Sequence, residues 1–440
     1  MKNKKTVYIP IEWKNRELDS FILLSKFLIE NNFRIIIGSK KSVFFLIKKK
    51  KKRSGIFFYK GGLDLENCKF VNKKCNSFVI LDQEIGPITN DKLEYKVPTR
   101  FFKKTIKFID RYYCIGKKVL KISKKVFHNK KKNISVLSGW PRIDLWKNQF
   151  NKFYGLEEKM IKNKYKKFIF FSSNFICLDL NEINQFKKKM KNWSEHKHPI
   201  NQKINYLKNS YLEFLKFKEF LYKYEGSKEN LPKLIIRPHP NEDLNIWKNE
   251  LKKYKNIFLA NEYDISPWIN NCQILLHRGC TSSAHAQLRN KKTVFIKLLN
   301  KNILPRVNIS KKISDYVVTR PEEIKTILNK KKTKSNFLQN NGYIYLSKNL
   351  SSQIIANDLS RINKIETDNF TKLDFFSISY FYLREIFFYF FSKENIFIKN
   401  NKIGKGIKKK YIFEKLKLLN TKNFVVKKII NNLILIESKN

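Results

Sequence analysis

This 440-residue sequence contains neither a Cys-x-x-Cys motif nor an Asp-x-Asp motif. Its six cysteines include no pair at Cys-x-x-Cys spacing and form no Cys/His pattern, so neither a zinc site nor a disulfide framework is indicated. No Asp-x-Asp occurs either, which removes the usual acidic clamp for a divalent cation. We therefore expect reduced thiols, as in cytoplasmic proteins, and neither a metal ion nor a cofactor.

Long apolar runs are also missing. No uncharged run reaches the ~18–20 residues that a transmembrane helix needs, and the closest, Phe375 to Phe391, is interrupted by Arg384 and Glu385. A buried helix is the simplest interpretation of that segment, and a helix lying against a membrane surface is the alternative. The first residues, Met-Lys-Asn-Lys-Lys, contain no apolar signal core. We expect a cytoplasmic protein, with contact to the inner face of the cell membrane left open.

Basic residues, in contrast, are abundant: 92 Lys and Arg against 37 Asp and Glu give a formal net charge of +55. Such a charge suits an anionic partner, for example nucleic acid, an anionic membrane or a phosphorylated substrate. The lysines are nevertheless spread along the whole chain, which drift in composition also produces. Proteins that bind nucleic acid usually cluster Arg with stacking aromatic side chains, and this sequence has no such cluster. We expect no nucleic-acid partner, while peripheral contact with an anionic membrane stays open.

Short apolar runs alternate with helical spacing through most of the chain, which predicts an α/β fold. The first of them form a strand–helix–strand pattern over residues 6–37. We predict an N-terminal Rossmann-like domain over residues 1–150 and a second one over 151–335, both doubly wound and separated by a cleft. A helical region should follow over 336–394, and then a Lys- and Asn-rich tail of unassigned role over 395–440.

Two apolar strands in the second half end in polar groups that suit an anion. Leu234 to Ile236 leads into Arg-Pro-His-Pro, and Gln273 to Leu276 leads into His-Arg-Gly-Cys-Thr-Ser-Ser. Strand ends that face helix N-termini are where open α/β sheets bind nucleotides and phosphates. The candidate phosphate-binding residues are Arg237, His239, His277, Thr281, Ser282 and Ser283.

The two candidate residues of the Arg-Pro-His-Pro motif, Arg237 and His239, each have an alternative role that involves no ligand. His239 could donate to a phosphate oxygen and act catalytically by stabilising a leaving group, or it could bond a backbone carbonyl at the strand end. Arg237 could pair with a phosphate, or it could form an ion pair with Glu242 or Asp243.

The candidates of the second motif also have such alternatives. The hydroxyls of residues 281–283 could bind phosphate oxygens beside free backbone amides, or they could cap a helix in the ordinary way. His277 could line a pocket, or it could be a histidine of the core.

Another group of candidates lies at strand ends in the first half. Asp82 and Glu84 follow the apolar run of residues 78–81, and a carboxylate there could act as a catalytic base towards an acceptor hydroxyl. Helix capping by Asp82 and surface exposure of Glu84 are the alternatives. Glu12 and Arg16 lie at the first strand–helix junction, where they could bind an acceptor or form an i,i+4 ion pair.

These motifs, in this order, resemble those of the bacterial surface carbohydrate (surface polysaccharide) biosynthesis proteins. The matching segments together span about residues 6 to 300, and they are residues 11–19, 81–86, 139–144, 237–240 and 277–283. More remotely, the set is similar to GT-B transferases that use CMP- or CDP-activated donors. These are the bacterial sialyltransferases, the capsule Kdo transferases and the CDP-glycerol glycerophosphotransferases.

The resemblance implies a GT-B-like fold with different roles for its two halves. In the sialyltransferases and Kdo transferases, an acidic motif supplies the base, a His-Pro motif contacts the nucleotide phosphate, and a Ser/Thr pair binds phosphate oxygens. In this chain those roles fall on Asp82 or Glu84, on His239, and on residues 281–283. One position departs from the pattern, because related proteins usually carry Glu where this chain has His285, and that Glu often holds the nucleotide ribose.

Together, the residues and the resemblance predict a metal-independent glycosyltransferase of cell-surface polysaccharide biosynthesis. Its partners would be a nucleotide-sugar donor, with a CMP-linked acidic sugar as the leading candidate, and a glycan or lipid-linked acceptor. A nucleotide-sugar epimerase or a glycerophosphotransferase of the same fold is the first alternative. The second alternative is a basic protein without enzymatic activity that binds nucleic acid or anionic glycans.

Overall fold

Two units, each built on a β-sheet, make up the structure of this chain, which is a computed structural model. Among the described residues, those up to 153 and those from 339 onward form the first unit, and those from 154 to 338 form the second. The residues that the structure describes are 4–82, 93–101, 103–130, 133–190, 200–227, 229, 231–299, 311–333, 337–362, 365–367, 379–380, 383 and 406–439.

The sheet of the first unit begins with six parallel strands. They are β1 (Thr6–Ile11), β2 (Arg34–Ser39), β3 (Ile56–Tyr59), β4 (Ser77–Leu81), β5 (Arg111–Cys114) and β6 (Ser135–Leu137). β1 pairs with β2 on one side and with β3 on the other, and the sheet continues from β3 through β4 and β5 to β6. The direction of winding therefore reverses between β1 and β3. Every residue of β1 is buried, as expected for a central parallel strand that is covered on both faces.

Helices alternate with these strands. They are α1 (Lys14–Glu30), α2 (Lys40–Lys49), α3 (Leu65–Lys74), α4 (Leu93–Thr99), α5 (Lys117–Val126) and α6 (Pro141–Asp144), with 3-10 turns at Lys103–Phe108 and Asn148–Tyr154. α1 buries Leu18, Ile22 and Leu28, whose helical spacing is visible in the sequence. Side chains cap the N-termini of the next two helices. The Ser39 side chain accepts a hydrogen bond from a backbone amide in the first turn of α2, and the Asp64 side chain does the same in α3.

The second unit is built on six parallel strands. They are β7 (Phe168–Ser172), β8 (Lys233–Arg237), β9 (Ile257–Leu259), β10 (Ile274–His277), β11 (Lys292–Ile296) and β12 (Tyr316–Val318). Their order in the sheet is β12-β11-β10-β7-β8-β9, which is the strand order of the Rossmann fold. The winding of this sheet reverses between β7 and β10.

Helices pack on both faces of the second sheet. They are α7 (Gly155–Tyr165), α8 (Leu180–Met190), α9 (Ile200–Gly226), α10 (Leu244–Leu251), α11 (Ile265–Asn271), α12 (Ser282–Leu288) and α13 (Glu323–Asn329). The short helix α14 (Phe337–Asn340) lies where the chain passes from the second unit to the first. On one face, Phe171 of β7 stacks on Phe217 of α9 with 4.2 Å between ring centroids. On the other face, Phe170 stacks on Trp268 of α11 with 6.0 Å between ring centroids. Because successive side chains of β7 point to opposite faces of the sheet, they contribute alternately to two apolar cores.

The end of the chain returns to the first unit. It forms α15 (Ser351–Ser360), α16 (Lys409–Leu418), β13 (Phe424–Ile430) and β14 (Leu433–Ser438). β13 and β14 are antiparallel, and β14 pairs antiparallel with β2, so the first sheet has eight strands. Gly38 of β2 permits this pairing, because a Cβ atom there would lie 2.3 Å from the carbonyl oxygen of Asn432.

The predicted fold class is confirmed: the chain is an α/β protein with two doubly wound, Rossmann-like sheets and helical segments after residue 336. The predicted cleft between the domains stays a prediction. The tail over residues 395–440 contributes α16 and a β-hairpin to the first unit. The segment Phe375 to Phe391 lies almost wholly outside the described residues. Among the residues that are described, no helix is long and apolar enough to cross a membrane.

Candidate functional site

The carboxyl ends of β7, β8 and β10 lie side by side at one edge of the second sheet. Ser172 at the end of β7 is in register with Arg237 of β8 and with His277 of β10. The amide of Ser173 donates to the Arg237 carbonyl at 2.9 Å, and the Ser172 hydroxyl contacts the Cys280 thiol at 3.4 Å. Because the winding reverses between β7 and β10, this edge is where open α/β sheets bind ligands. We refer to the loops after these three strands as the second-unit edge.

His239 lies in the turn that joins β8 to α10, and its side chain is partly buried. The prolines at 238 and 240 end the strand because neither can donate a backbone hydrogen bond. Nδ1 of His239 accepts the amide of Asn241 at 3.2 Å, and the His239 carbonyl accepts the amide of Glu242 at 2.9 Å. Since Nδ1 is an acceptor, the neutral ring carries its proton on Nε2, which is the nitrogen that can donate to a ligand.

Glu242 supports this turn, although the sequence analysis did not select it as a site residue. It is only 4% exposed, and its carboxylate accepts from the Ser173 hydroxyl and from the Trp247 indole N–H, both at 2.8 Å. Burial raises the pKa of Glu242 to about 8, although these hydrogen bonds oppose the shift. A buried carboxyl group thus ties the His239 turn to the loop after β7.

Arg237 holds the loop that follows β9. Its Nη1 donates to the carbonyl of Glu262 at 2.7 Å, and its Nη2 donates to the carbonyl of Tyr263 at 2.6 Å. Tyr263 needs this support because its φ of +60° lies in the left-handed region, which a bulky side chain rarely adopts. The phosphate contact predicted for Arg237 stays a prediction.

His277 has the contacts expected of the alternative interpretation, a histidine of the core. Its Nε2 lies 2.9 Å from the Ser314 hydroxyl, its Nδ1 accepts the Gly279 amide at 3.2 Å, and its ring packs edge-on against Phe295. Burial lowers the pKa of His277 to about 3, so the imidazole is neutral. It fixes the turn at Gly279, where the φ of +106° favours glycine.

Arg278, the next residue, was also missed by the sequence analysis. It is only 3% exposed, and its Nη1 donates to the backbone and side-chain oxygens of Asn174 at 3.1 and 3.2 Å. Its guanidinium stacks on the ring of Phe175 and forms an ion pair with Glu213 of α9. Burial lowers the pKa of Arg278 to about 9. The second-unit edge therefore contains a deeply buried cation.

The predicted hydroxyl residues behave differently from one another. Ser283 donates to the Cys280 carbonyl at 2.7 Å, as in an ordinary first turn of a helix. Thr281 precedes α12 without a side-chain capping bond. The Ser282 hydroxyl is buried and has no hydrogen-bond partner among the described residues. Ser282 is thus the hydroxyl of the three whose burial a bound ligand would best explain.

The first unit has a charged cluster where its own winding reverses, at the ends of β1 and β3. Glu12 accepts from the ammonium groups of Lys40 and Lys60, each at 2.9 Å, and from the hydroxyl of Tyr59. Lys60 also pairs with the fully buried Glu17 at 2.9 Å. We refer to these five residues as the first-unit cluster.

Charges in the first-unit cluster neutralise one another. Burial would raise the pKa of Glu12, but the Tyr59 hydrogen bond and the Lys60 charge bring it to about 2. Burial raises the pKa of Glu17, and Lys60 opposes that shift. Burial lowers the pKa of Lys60, but the two carboxylates outweigh it and raise the value. Glu12 is therefore a paired carboxylate, and Arg16 lies half-buried in the first turn of α1.

Asp82, one of the two predicted bases, is 2% exposed and is held by Arg100. The guanidinium donates from Nε to one carboxylate oxygen at 2.9 Å and from Nη2 to the other at 3.3 Å. Gly61 gives the guanidinium its space, because a Cβ atom there would lie 2.8 Å from Nη2 of Arg100. Both oxygens of Asp82 are thus engaged. Glu84, the other predicted base, lies outside the described residues.

The Gly-Trp-Pro-Arg-Ile-Asp motif after β6 anchors α15. Gly139 has a φ of +79°, and a Cβ atom there would lie 2.6 Å from the Ser351 hydroxyl. Asp144 is buried and accepts the Ser351 hydroxyl at 3.2 Å and the Ser352 amide at 3.0 Å. Burial raises the pKa of Asp144, and these hydrogen bonds oppose the shift. The motif therefore has a structural role within the first unit.

Sequence reasoning missed Glu242, Arg278 and Lys60 for a common reason. Their contacts depend on which strand ends are neighbours, and that order is not visible in a linear sequence. A usable signal existed for two of them, since Lys60 and Arg278 directly follow strands. His285, where related proteins usually carry Glu, is buried within α12. Its burial gives no further support to a ribose contact.

Metal ligands do not cluster in the described part of the chain. Among those residues, no group of three or more His, Cys, Asp or Glu side chains could hold a metal ion. The expectation of metal independence stays a prediction. His239, Arg278 and Ser282 are side chains at the second-unit edge that could meet an anionic ligand, and the phosphate contacts of Arg237, His277, Thr281 and Ser283 stay predictions.

The chain matches no family model, and no curated protein sequence matches it significantly. Solved structures similar to it include a variant of the wall teichoic acid polymerase TagF, with 13% identity and a TM-score of 0.48 over 82% of this chain and 89% of that chain. The UDP-GlcNAc 2-epimerase of Methanocaldococcus jannaschii has 11% identity and a TM-score of 0.46 over 81% and 99% of the two chains. That of Neisseria meningitidis has 9% identity and a TM-score of 0.44 over 81% and 100%. Likenesses of this strength carry no argument about function, and the two Rossmann-like sheets are shown by the strand orders of this chain itself.

Proposed function

We propose that this protein is a glycosyltransferase of cell-surface polysaccharide biosynthesis that uses a nucleotide-activated sugar. A CMP-linked donor is the leading candidate, and the acceptor would be a glycan or a lipid-linked glycan. The five sequence motifs support the proposal, and so does the place of two of them at the second-unit edge. We place the activity in the cytoplasm, with the lysine-rich surface favouring contact with an anionic inner membrane face.

The connected second-unit edge is the observation that carries this proposal. Ser173 bonds Glu242 behind the His239 turn, and Asn174 bonds Arg278 after β10. One short loop therefore joins the imidazole and the buried cation at the point where the winding of a Rossmann-type sheet reverses. Such edges bind nucleotide phosphates, and preorganised donors there stabilise negative charge as it develops on a departing phosphate.

Each unit would contribute different chemistry to the reaction. In the second unit, Nε2–H of His239 would donate to a phosphate oxygen of the donor, and protonation of the ring would strengthen that contact in the transition state. In the first unit, we assign the general base to Glu84, because the carboxylate of Asp82 is held by Arg100. We retain Glu12 and Arg16 as acceptor-binding residues. Glu12 would act mainly by orienting the ammonium groups that it pairs with.

A thermal-shift panel of mono- and diphosphate nucleotides tests the proposal. A ligand at 100 times its dissociation constant should stabilise the wild-type protein by about 2.7 kcal/mol. We expect one pyrimidine nucleotide, with CMP as the leading candidate, to raise the melting temperature of the wild type and to have little effect on His239→Ala. His128→Ala is the matched control, because His128 is exposed at the end of α5 in the first unit.

Two outcomes would contradict the proposal. One is that no nucleotide stabilises the wild type, and the other is that His239→Ala responds as the wild type does. If instead a nucleotide sugar is converted without any acceptor, the epimerase alternative replaces the transferase.

A further inference from the structure

Arg278 is buried, and two of its guanidinium nitrogens, Nε and Nη2, are only partly paired. Its Nη1 is occupied by the two oxygens of Asn174, and the ring of Phe175 covers one face of the guanidinium. The other edge of the group is formed by Nε and Nη2, whose parallel N–H bonds match two oxygens of one carboxylate or phosphate. Among the described residues, Nε has no hydrogen-bond partner. That edge of the guanidinium is therefore only partly satisfied.

Glu213 of α9 occupies the other half of this edge. Its Oε2 pairs with Nη2 of Arg278, and its side chain is 14% exposed against 3% for Arg278. The carboxylate is thus the more accessible partner of the pair. A guanidinium removed from water needs an anion beside it, and Glu213 supplies that charge through one oxygen.

We propose that Glu213 is an internal counter-ion, which a phosphate or pyrophosphate group of a ligand displaces from Arg278. This inference rests on the proposed function, since a nucleotide donor carries such a group. A phosphate can bring two oxygens to Nε and Nη2 at once, whereas Glu213 brings one. It also carries up to two negative charges, so the exchange favours phosphate over weaker anions. Glu213 thereby sets the affinity and the charge selectivity of the second-unit edge.

A purely structural Arg278–Glu213 pair would behave in the opposite way. Removing one partner of a buried pair leaves an uncompensated charge and destabilises the fold, but it removes no competitor from a binding site. Loss of stability therefore does not separate the two cases. The direction of the change in anion affinity does separate them.

The experiment is a calorimetric titration of inorganic pyrophosphate into the full-length wild type and Glu213→Gln. We expect the variant to bind pyrophosphate about tenfold more tightly, because a competing charge a few ångströms from the ligand is removed. Glu219→Gln is the matched control, since Glu219 lies on the same helix and pairs with Lys216 at the surface. Its affinity should stay within about twofold of the wild type. Adding Arg278→Lys to Glu213→Gln should abolish the gain, because an ammonium lacks the two parallel donors.

Glu213→Asp keeps the measurement decisive if Glu213→Gln does not fold. The shorter side chain withdraws the charge by one methylene, so pyrophosphate should bind more tightly than to the wild type but by a smaller factor. Unchanged or weaker binding in a folded Glu213 variant overturns the inference. If nucleotides still bind through His239 in that case, the proposed function survives without it. If pyrophosphate affinity rises but no nucleotide binds, the counter-ion exchange stands and the proposed function fails.

Discussion

The charged groups at the two places where the sheet winding reverses differ in how completely they are paired. In the first unit, Glu12, Glu17, Lys40 and Lys60 pair with one another, so the cluster is satisfied within itself. At the second-unit edge, the buried guanidinium of Arg278 pairs with Glu213 through Nη2, while its Nε has no hydrogen-bond partner among the described residues. A closed cluster stabilises and orients its members. An incompletely satisfied edge is where an anionic ligand gains the most from binding.

The largest expected difference between the two units is in the rate of transfer. If the second unit binds the nucleotide and the first supplies the base, Glu84→Gln should slow transfer by about 10²–10⁴-fold while nucleotide affinity is unchanged. Asp82→Asn should act through stability instead, because it breaks the pair with Arg100. The measurement is the transfer rate with a supplied acceptor, alongside chemical denaturation. Transfer at the wild-type rate in both variants would remove this acidic motif from the mechanism.

Stability should respond most strongly at the first-unit cluster. Lys60→Met leaves Glu12 and Glu17 without their shared cation, and breaking a buried ion pair in this way costs about 3–5 kcal/mol. Denaturant unfolding measures this cost. Lys69→Met is the control, because Lys69 pairs with Glu66 on the exposed side of α3 and should change stability little. Equal stability of the two variants would mean that the charges of the first-unit cluster do not depend on one another.

The second unit should lose stability as the pH rises. Burial raises the pKa of Glu242 to about 8 from an ordinary 4.5, so the folded state binds this proton more tightly than the unfolded state does. The stability from this group is therefore fully present below about pH 4.5 and is lost as the pH rises towards 8, by on the order of 2–4 kcal/mol. Unfolding free energies of the wild type and Glu242→Gln between pH 4 and 9 test this. Parallel pH curves for the two proteins would contradict the assignment.

A small effect is expected where the second-unit edge is structural. His277→Gln removes a neutral imidazole that bonds Ser314 and Gly279, so it should cost about 1–3 kcal/mol of stability. Nucleotide affinity should remain within about twofold, since the ring carries no charge towards a ligand. Calorimetry and denaturation of the same sample give both values. A tenfold loss of affinity without a loss of stability would return His277 to the binding residues.

Much of the fold could be predicted because its strands are apolar runs. The pattern predicted from residue 6 begins with β1, and the strand predicted from Gln273 to Leu276 corresponds to β10, which runs from Ile274 to His277. β3 is a short Ile-Phe-Phe-Tyr run that follows a lysine-rich stretch, and it is not among the predicted strands. Its absence from the prediction hid the reversal of winding beside β1. Lys60, which follows β3, was overlooked with it.

The C-terminal hairpin could not be predicted for a different reason. β14 depends on pairing with β2, almost 400 residues earlier in the chain, and the apolar run at Leu433–Ile436 does not reveal that partner. Non-local pairing of this kind leaves little trace in a local sequence window. The position of the candidate site, by contrast, follows from strand ends alone. Its contacts do not, because Glu213 reaches Arg278 from a helix far from it in sequence.

Nucleotide affinity measured by calorimetry for His239→Ala and Glu84→Ala tests the central claim most directly. The claim is that the second unit binds the donor nucleotide through its His239 edge, whereas the first unit acts on the acceptor. His239→Ala should therefore lose most of its nucleotide affinity, while Glu84→Ala binds nucleotide as the wild type does. Equal loss of binding in both folded variants, or full binding by His239→Ala, would contradict that division between the two units.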